Sequence, residues 1–83
     1  MCPKITDVEI RDEYIIIVKF DNDDIVEYDL KPKLGDPRFE LLKDKLLFKT
    51  AKIDSGGYGI SWNDEADLSE NELWTNGKKL VKV

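Results

Sequence analysis

Histidine is absent from this 83-residue chain, and cysteine occurs once, at Cys2. Every histidine-dependent base, catalytic triad or zinc set is therefore excluded. Cys2 would act as a nucleophile only as a thiolate, which needs a nearby base or an electropositive setting. Its neighbours Met1 and Pro3 supply neither, so it reads as a plain thiol.

Two acidic groups and one glycine cluster remain to be weighed. Asp21, Asp23 and Asp24 resemble the start of an oxygen-rich calcium loop. Such a loop needs alternating acids, a central glycine and a glutamate at its twelfth place. Here Ile25 takes the fifth place, Val26 the glycine place and Pro32 the twelfth, so the run reads as a hairpin turn. Gly56, Gly57 and Gly59 would cradle a phosphate only ahead of a helix, and a strand pattern follows them. Asp64, Glu65 and Asp67 beside Trp62 could pair as acid and base. A glycan cleft needs more aromatic platforms and a larger scaffold. The chain is expected not to be an enzyme and to hold no cofactor or metal.

What must position these residues is a single small domain spanning residues 1–83. A 41% hydrophobic and 37% charged composition describes a folded domain with a heavily charged surface, not a disordered chain. The longest apolar run, Tyr14 to Val18, is far short of a bilayer span, and nothing near Met1 resembles an export signal. With one cysteine and no export signal, a cytoplasmic location is expected.

Charge is unevenly distributed about a net of −5. Residues 1–30 carry nine acids against three bases, and residues 53–76 carry six acids and no base. The intervening 31–52 segment is basic, through Lys31, Lys33, Arg38, Lys43, Lys45, Lys49 and Lys52. The overall balance opposes a phosphate backbone and suits a basic partner.

Periodicity places the elements. Residues 5–10 alternate, with Thr6, Val8 and Ile10 expected inward and Asp7 and Glu9 outward. In residues 13–20, Tyr14, Ile16, Val18 and Phe20 line one face while Ile15 and Ile17 line the other. That pattern predicts a central strand covered on both sides. Residues 25–30 put Val26, Tyr28 and Leu30 inward. With tight links at Arg11-Asp12 and Asp21–Asp24, an antiparallel meander follows. Asp36-Pro37 reads as a helix start, with Phe39, Leu42 and Leu46 at helical spacing behind it. Two further strands are expected at 50–54 and 58–62, around a Ser55-Gly56-Gly57 turn packed under Trp62, with Tyr58, Ile60 and Trp62 on one face.

Ser69 and Glu72 form a capping box, with Leu68 and Leu73 as its hydrophobic staple. This predicts a helix over 70–76, closed by Gly77 in a left-handed conformation. Residues 79–83 form a tail or an edge strand.

These residues together resemble a known family. Phe20 before an acidic turn leads into Val26-Glu27-Tyr28-Asp29-Leu30, then Phe39-Glu40-Leu41-Leu42, Phe48 and Gly59-Ile60-Ser61-Trp62. Ala66-Asp67-Leu68-Ser69-Glu70-Asn71-Glu72-Leu73-Trp74 closes the run. Over residues 4–76 the chain is similar to the small bacterial family of domain of unknown function 2442. Where that family's hairpin turn usually carries a glycine, this chain has Asp23-Asp24. Where its helix often opens with a proline, this chain has Ser69-Glu70.

The resemblance implies an α+β fold, a curved antiparallel β-meander of about five strands with one or two short helices. It also implies an antitoxin-like role, and with the acidic balance and the absence of a catalytic set the chain is expected to be an uncharacterised interaction module that neutralises a small basic protein. Asp21, Asp23, Asp24, Asp64, Glu65, Asp67 and Trp74 are the candidate partner contacts. Two alternatives stand beside this reading: a DNA-associated regulatory module acting through residues 31–52, or a small-ligand binder at the Trp62–Asp67 face. Self-association through an edge strand such as Leu80-Val81 is compatible with all three, and no membrane partner is expected.

Overall fold

A computed structural model describes residues 3–63 and 66–80, so Cys2, Asp64, Glu65 and Val81 lie outside the described residues. The fold is α+β. Ile5–Arg11 (β1), Ile15–Phe20 (β2) and Ile25–Asp29 (β3) form the expected antiparallel meander, and Lys78–Leu80 (β7) joins its far edge beside β3. A second antiparallel sheet is built from Lys52–Ile53 (β4), Gly59–Ser61 (β5) and Asp67–Ser69 (β6). The five expected strands are thus present, and β7 is the edge strand that the C-terminal residues offered, but two sheets replace one and β6 is added.

Alternation along the strands sets the core. Val8, Val18 and Val26 form one cross-strand row, and Ile10, Ile16 and Tyr28 form the next. Ile16, Val18, Phe20, Val26, Tyr28 and Leu30 are buried. They share one core with Phe39, Leu42, Phe48, Ile60, Leu68 and Leu73. On the opposite face Ile15, Ile17 and Ile25 are only half-buried, so β2 is central but not covered on both sides.

Three positions depart from simple alternation. A bulge between Ile5 and Asp7 turns Ile5 into the core and leaves Thr6 exposed, with its hydroxyl donating to the Lys19 carbonyl. The extra residue shifts which side chains face inward, a shift that a strict period of two cannot show. The β1–β2 link runs over three residues, Asp12–Tyr14, with Glu13 and Tyr14 at φ of 63° and 66°. Tyr14 therefore sits in the turn rather than in β2, its ring 4.8 Å from Phe48 and its hydroxyl donating to the Lys43 carbonyl. Tyr58 also leaves its strand: it lies in the helical region of backbone space, 59% exposed, beneath the Lys4 ammonium.

The middle segment is broken by turns. Glu40–Lys43 is a 3-10 turn, and Lys45–Phe48 (α1) is a single helical turn capped by Asp44, which accepts from the Leu46 amide at 3.0 Å. Asp36 does not cap a helix; its carboxylate binds the Arg38 amide and guanidinium. The break rotates Leu46 out of line with Leu42, so Leu42 is fully buried and Leu46 is 77% exposed.

Glu70–Asn76 (α2) is where the capping signal placed it, with the Ser69 hydroxyl accepting from the Glu72 amide at 3.1 Å. The box is not reciprocal, however. The Glu72 carboxylate is drawn across to the Tyr28 hydroxyl instead. Gly77 is extended rather than left-handed, at φ −79° and ψ 163°. A side chain there would collide with Val26 Cγ1 and with the Leu73 carbonyl, so close approach requires the glycine. Gly56 and Gly57 do adopt left-handed conformations, at φ of 79° and 77°. Gly57 packs on the Ile5 backbone of β1, where an added Cβ would lie 2.5 Å from the carbonyl oxygen, and not under Trp62.

Candidate functional site

The β2–β3 turn and α2 bring four of the sequence-derived candidates together. The turn is closed by the Phe20 amide on the Asp24 carbonyl at 2.9 Å and the Asp23 amide on the Phe20 carbonyl at 3.0 Å. Asn22 Oδ1 braces it by accepting from the Asp24 amide at 3.0 Å. Asp23 carries the turn's left-handed residue at φ 69°, a conformation that glycine adopts without strain. This arrangement leaves Asp21 and Asp23 exposed and Asp24 half-buried.

Trp74 reaches the same region from α2. Its ring meets Phe20 edge-on, with centroids 5.2 Å apart at 74°. Lys79, on β7, bridges the two features: its ammonium lies 4.1 Å from the centre of the Trp74 ring and 3.5 Å from Asp24 Oδ2. A carboxylate and an electron-rich ring face thus hold a single ammonium group between them. The sequence placed Lys79 in a tail or edge strand and gave it no contact with the turn. Its role depends on β7 pairing with β3, which sets Val26 opposite Lys79.

Asp67 belongs to a different place. It lines a polar groove of about 320 Å³ with Lys33, Arg38, Phe39, Asp54, Tyr58 and Glu72. Trp62 is not among the residues lining that groove. Its indole donates to the Phe48 carbonyl at 2.7 Å, which anchors it to the structure. Just ahead of β6, the Asn63 side chain accepts from the Ala66 amide.

Glu72 is the most heavily partnered charge in the groove. Glu72 Oε2 accepts from the Tyr28 hydroxyl at 2.7 Å and lies 3.7 Å from Lys33 Nζ, while Oε1 accepts from Asn76. The Tyr28 hydrogen bond is the main reason the Glu72 pKa falls below the usual carboxylate range, with Lys33 adding to the effect. Burial, followed by the hydrogen bond to Glu72, pushes the Tyr28 hydroxyl pKa up. Asp36 is likewise lowered by its hydrogen bonds from Arg38. Both shifted carboxylates move toward the ionised form, opposite to the shift that prepares a general acid. Among the described residues no cluster of three acidic or cysteine side chains could hold a metal ion.

The basic 31–52 segment is partly neutralised where it folds. Arg38 pairs with Asp36 at 3.0 Å, and Lys33 with Glu72. No helix of the described residues is long and apolar enough to cross a membrane.

The architecture is that of a small α+β domain whose most distinctive surface is an acidic turn beside an aromatic ring. Residues 5–79 match the model of the family described as Protein of unknown function (DUF2442), and the chain belongs to that family. No curated protein and no solved structure matches it.

Proposed function

We propose that this chain is a protein-interaction module, the neutralising, antitoxin-like partner of a small basic protein. It docks that partner through the acidic β2–β3 turn and Trp74. The Lys79 ammonium, held between Asp24 and the Trp74 ring, is the observation that carries this reading. An intramolecular cation occupies a seat with the chemistry to take an arginine or lysine side chain of another protein. Asp21 and Asp23, exposed beside it, add attraction that speeds encounter with a positively charged surface.

Titration of an arginine-rich peptide into the isotopically labelled protein tests the docking site. The chain has two tryptophans, and Trp62, bonded to the Phe48 carbonyl, serves as internal reference for Trp74. The Trp74 indole resonance should move while that of Trp62 stays. The double variant Asp21→Lys/Asp24→Lys should weaken binding by about tenfold or more, as expected when steering charges are reversed. Unchanged affinity in that variant removes the reading. Lys79→Ala, which empties the seat, should tighten binding.

A further inference from the structure

We infer that the outer edge of β6 is a docking site for an extended, lysine-bearing segment of another protein, which adds to the sheet as an antiparallel strand. The inference stands apart from the Trp74 seat, which uses none of these residues.

β6 ends the three-stranded sheet, so one of its edges has no neighbouring strand. The register with β5 shows which backbone groups that edge carries. The Trp62 amide donates to the Ala66 carbonyl and the Glu70 amide to the Tyr58 carbonyl, both at 2.9 Å. Bonded and non-bonded pairs alternate along an antiparallel ladder, so the bonded pair between these two is Ile60 with Leu68. Asp67 and Ser69 occupy the non-bonded positions and turn their amides and carbonyls away from β5. The Ser69 carbonyl enters the first turn of α2. Among the described residues, the Asp67 amide, the Asp67 carbonyl and the Ser69 amide have no hydrogen-bond partner.

These groups meet open space. Asp67, Leu68 and Ser69 all line the polar groove of about 320 Å³. A strand presents alternate residues to a space over its face, but consecutive residues to a space along its edge. Leu68 belongs to the core and is only 4% exposed, so it reaches the groove through its main chain. The groove therefore runs along an unpaired edge, the geometry by which extended peptides add to sheets.

The charges along the groove select a basic occupant. Both of its cations are already paired, Lys33 with Glu72 and Arg38 with Asp36. Asp54 and Asp67 have no ion pair among the described residues. Asp54 accepts from the Ser61 hydroxyl at 2.7 Å, and Ser61 lies opposite Asp67, so the two carboxylates share one face of the sheet. A residue added opposite Asp67 projects its side chain from that same face, about 5 Å away. A lysine there meets an unpaired carboxylate while its backbone exchanges two hydrogen bonds with Asp67, and the Ser69 amide donates a third to the incoming strand.

Titration of acetyl-Val-Lys-Val-Lys-Val-amide into the isotopically labelled full chain tests the inference. The Asp67 and Ser69 amide resonances should move, and both amides should exchange more slowly with solvent. N-methylation of both peptide lysines blocks the pairing edge and should weaken binding by about tenfold or more. N-methylation of the valines lies on the opposite edge and should leave the affinity unchanged. Ser69→Pro removes the third donor without straining a φ of −74°, and should weaken binding by about fivefold or more. Ser69→Ala loses the same helix cap but keeps the N–H, and should bind as wild type. Unchanged circular dichroism will confirm that both variants fold. Equal affinity of the two methylated peptides, or of the two Ser69 variants, overturns the inference. So does failure of the unmethylated peptide to bind, or equally tight binding of acetyl-Val-Glu-Val-Glu-Val-amide. Protection of the Asp67 and Ser69 amides in the concentrated protein alone would place a second copy in the groove and overturn it as well.

Discussion

The Tyr28 hydroxyl donates to Glu72 Oε2 at 2.7 Å and ties the middle of β3 to the first turn of α2, forty-four residues later in the chain. It explains why the capping box is one-sided, since the Glu72 carboxylate is engaged across the fold rather than with its own helix end. It also links stability to pH at both ends of the scale. The lowered Glu72 pKa contributes stability that is present above the ordinary glutamate value of 4.5 and is lost as pH falls through the folded value. The raised Tyr28 pKa contributes stability that is present below the ordinary tyrosine value of 10.0 and is lost as pH climbs above it. Tyr28→Phe should cost about 1–2 kcal/mol at pH 7, the range for a hydrogen bond to a charged acceptor moderated by the other partners of Glu72. Urea unfolding at pH 3 and pH 7 checks this, because the difference between variant and wild type should shrink at pH 3.

Asp23 holds a left-handed conformation in the β2–β3 turn at φ 69°. Replacing it with glycine should raise stability by roughly 0.5–1 kcal/mol, because the strain relieved exceeds the entropy added to the unfolded chain. A thermal melt that shows no gain for Asp23→Gly would contradict this account of the turn.

Gly77 has an ordinary extended backbone, so its substitution is governed by crowding alone. Gly77→Ala should cost about 1–3 kcal/mol through overpacking against Val26 and the Leu73 carbonyl. Combining it with Val26→Ala should cost less than the sum of the two single changes. Additive costs in a double-mutant cycle would show that the two side chains do not compete for the same space.

Leu42 and Leu46 look equivalent in sequence and are opposite in the structure. Leu42→Ala should destabilise by about 2–5 kcal/mol through cavity formation. Leu46→Lys should change stability by no more than about 0.5 kcal/mol, as for other exposed positions. Denaturant titration of the two variants distinguishes this arrangement from a continuous amphipathic helix, in which both would be costly.

Loss of the α2 cap gives a further check. Ser69→Ala should cost about 1 kcal/mol, because the Glu72 amide loses its acceptor. Equal stability of Ser69→Ala and wild type in urea would mean that tertiary packing alone holds the end of the helix.

The sequence by itself determined the elements whose signals are local. The β1–β3 meander follows from alternation bounded by Arg11-Asp12 and Asp21–Asp24, and α2 follows from Ser69, Glu72 and Leu73, a helix start written within five residues. It also brought the acidic turn and Trp74 forward as candidates. Only the tertiary structure decided how these pieces meet. A bulge put Ile5 rather than Thr6 into the core, a break between 3-10 and α-helical turns turned Leu46 outward, and Tyr14 and Tyr58 left their strands for turns. Asp67 was separated from the turn, and Lys79 was carried onto Trp74. The physical reason is common to these cases. Period and capping depend on neighbours a few residues apart, whereas Lys79 with Asp24, Tyr28 with Glu72 and Gly77 with Val26 are set by the closure of chain segments more than forty residues long.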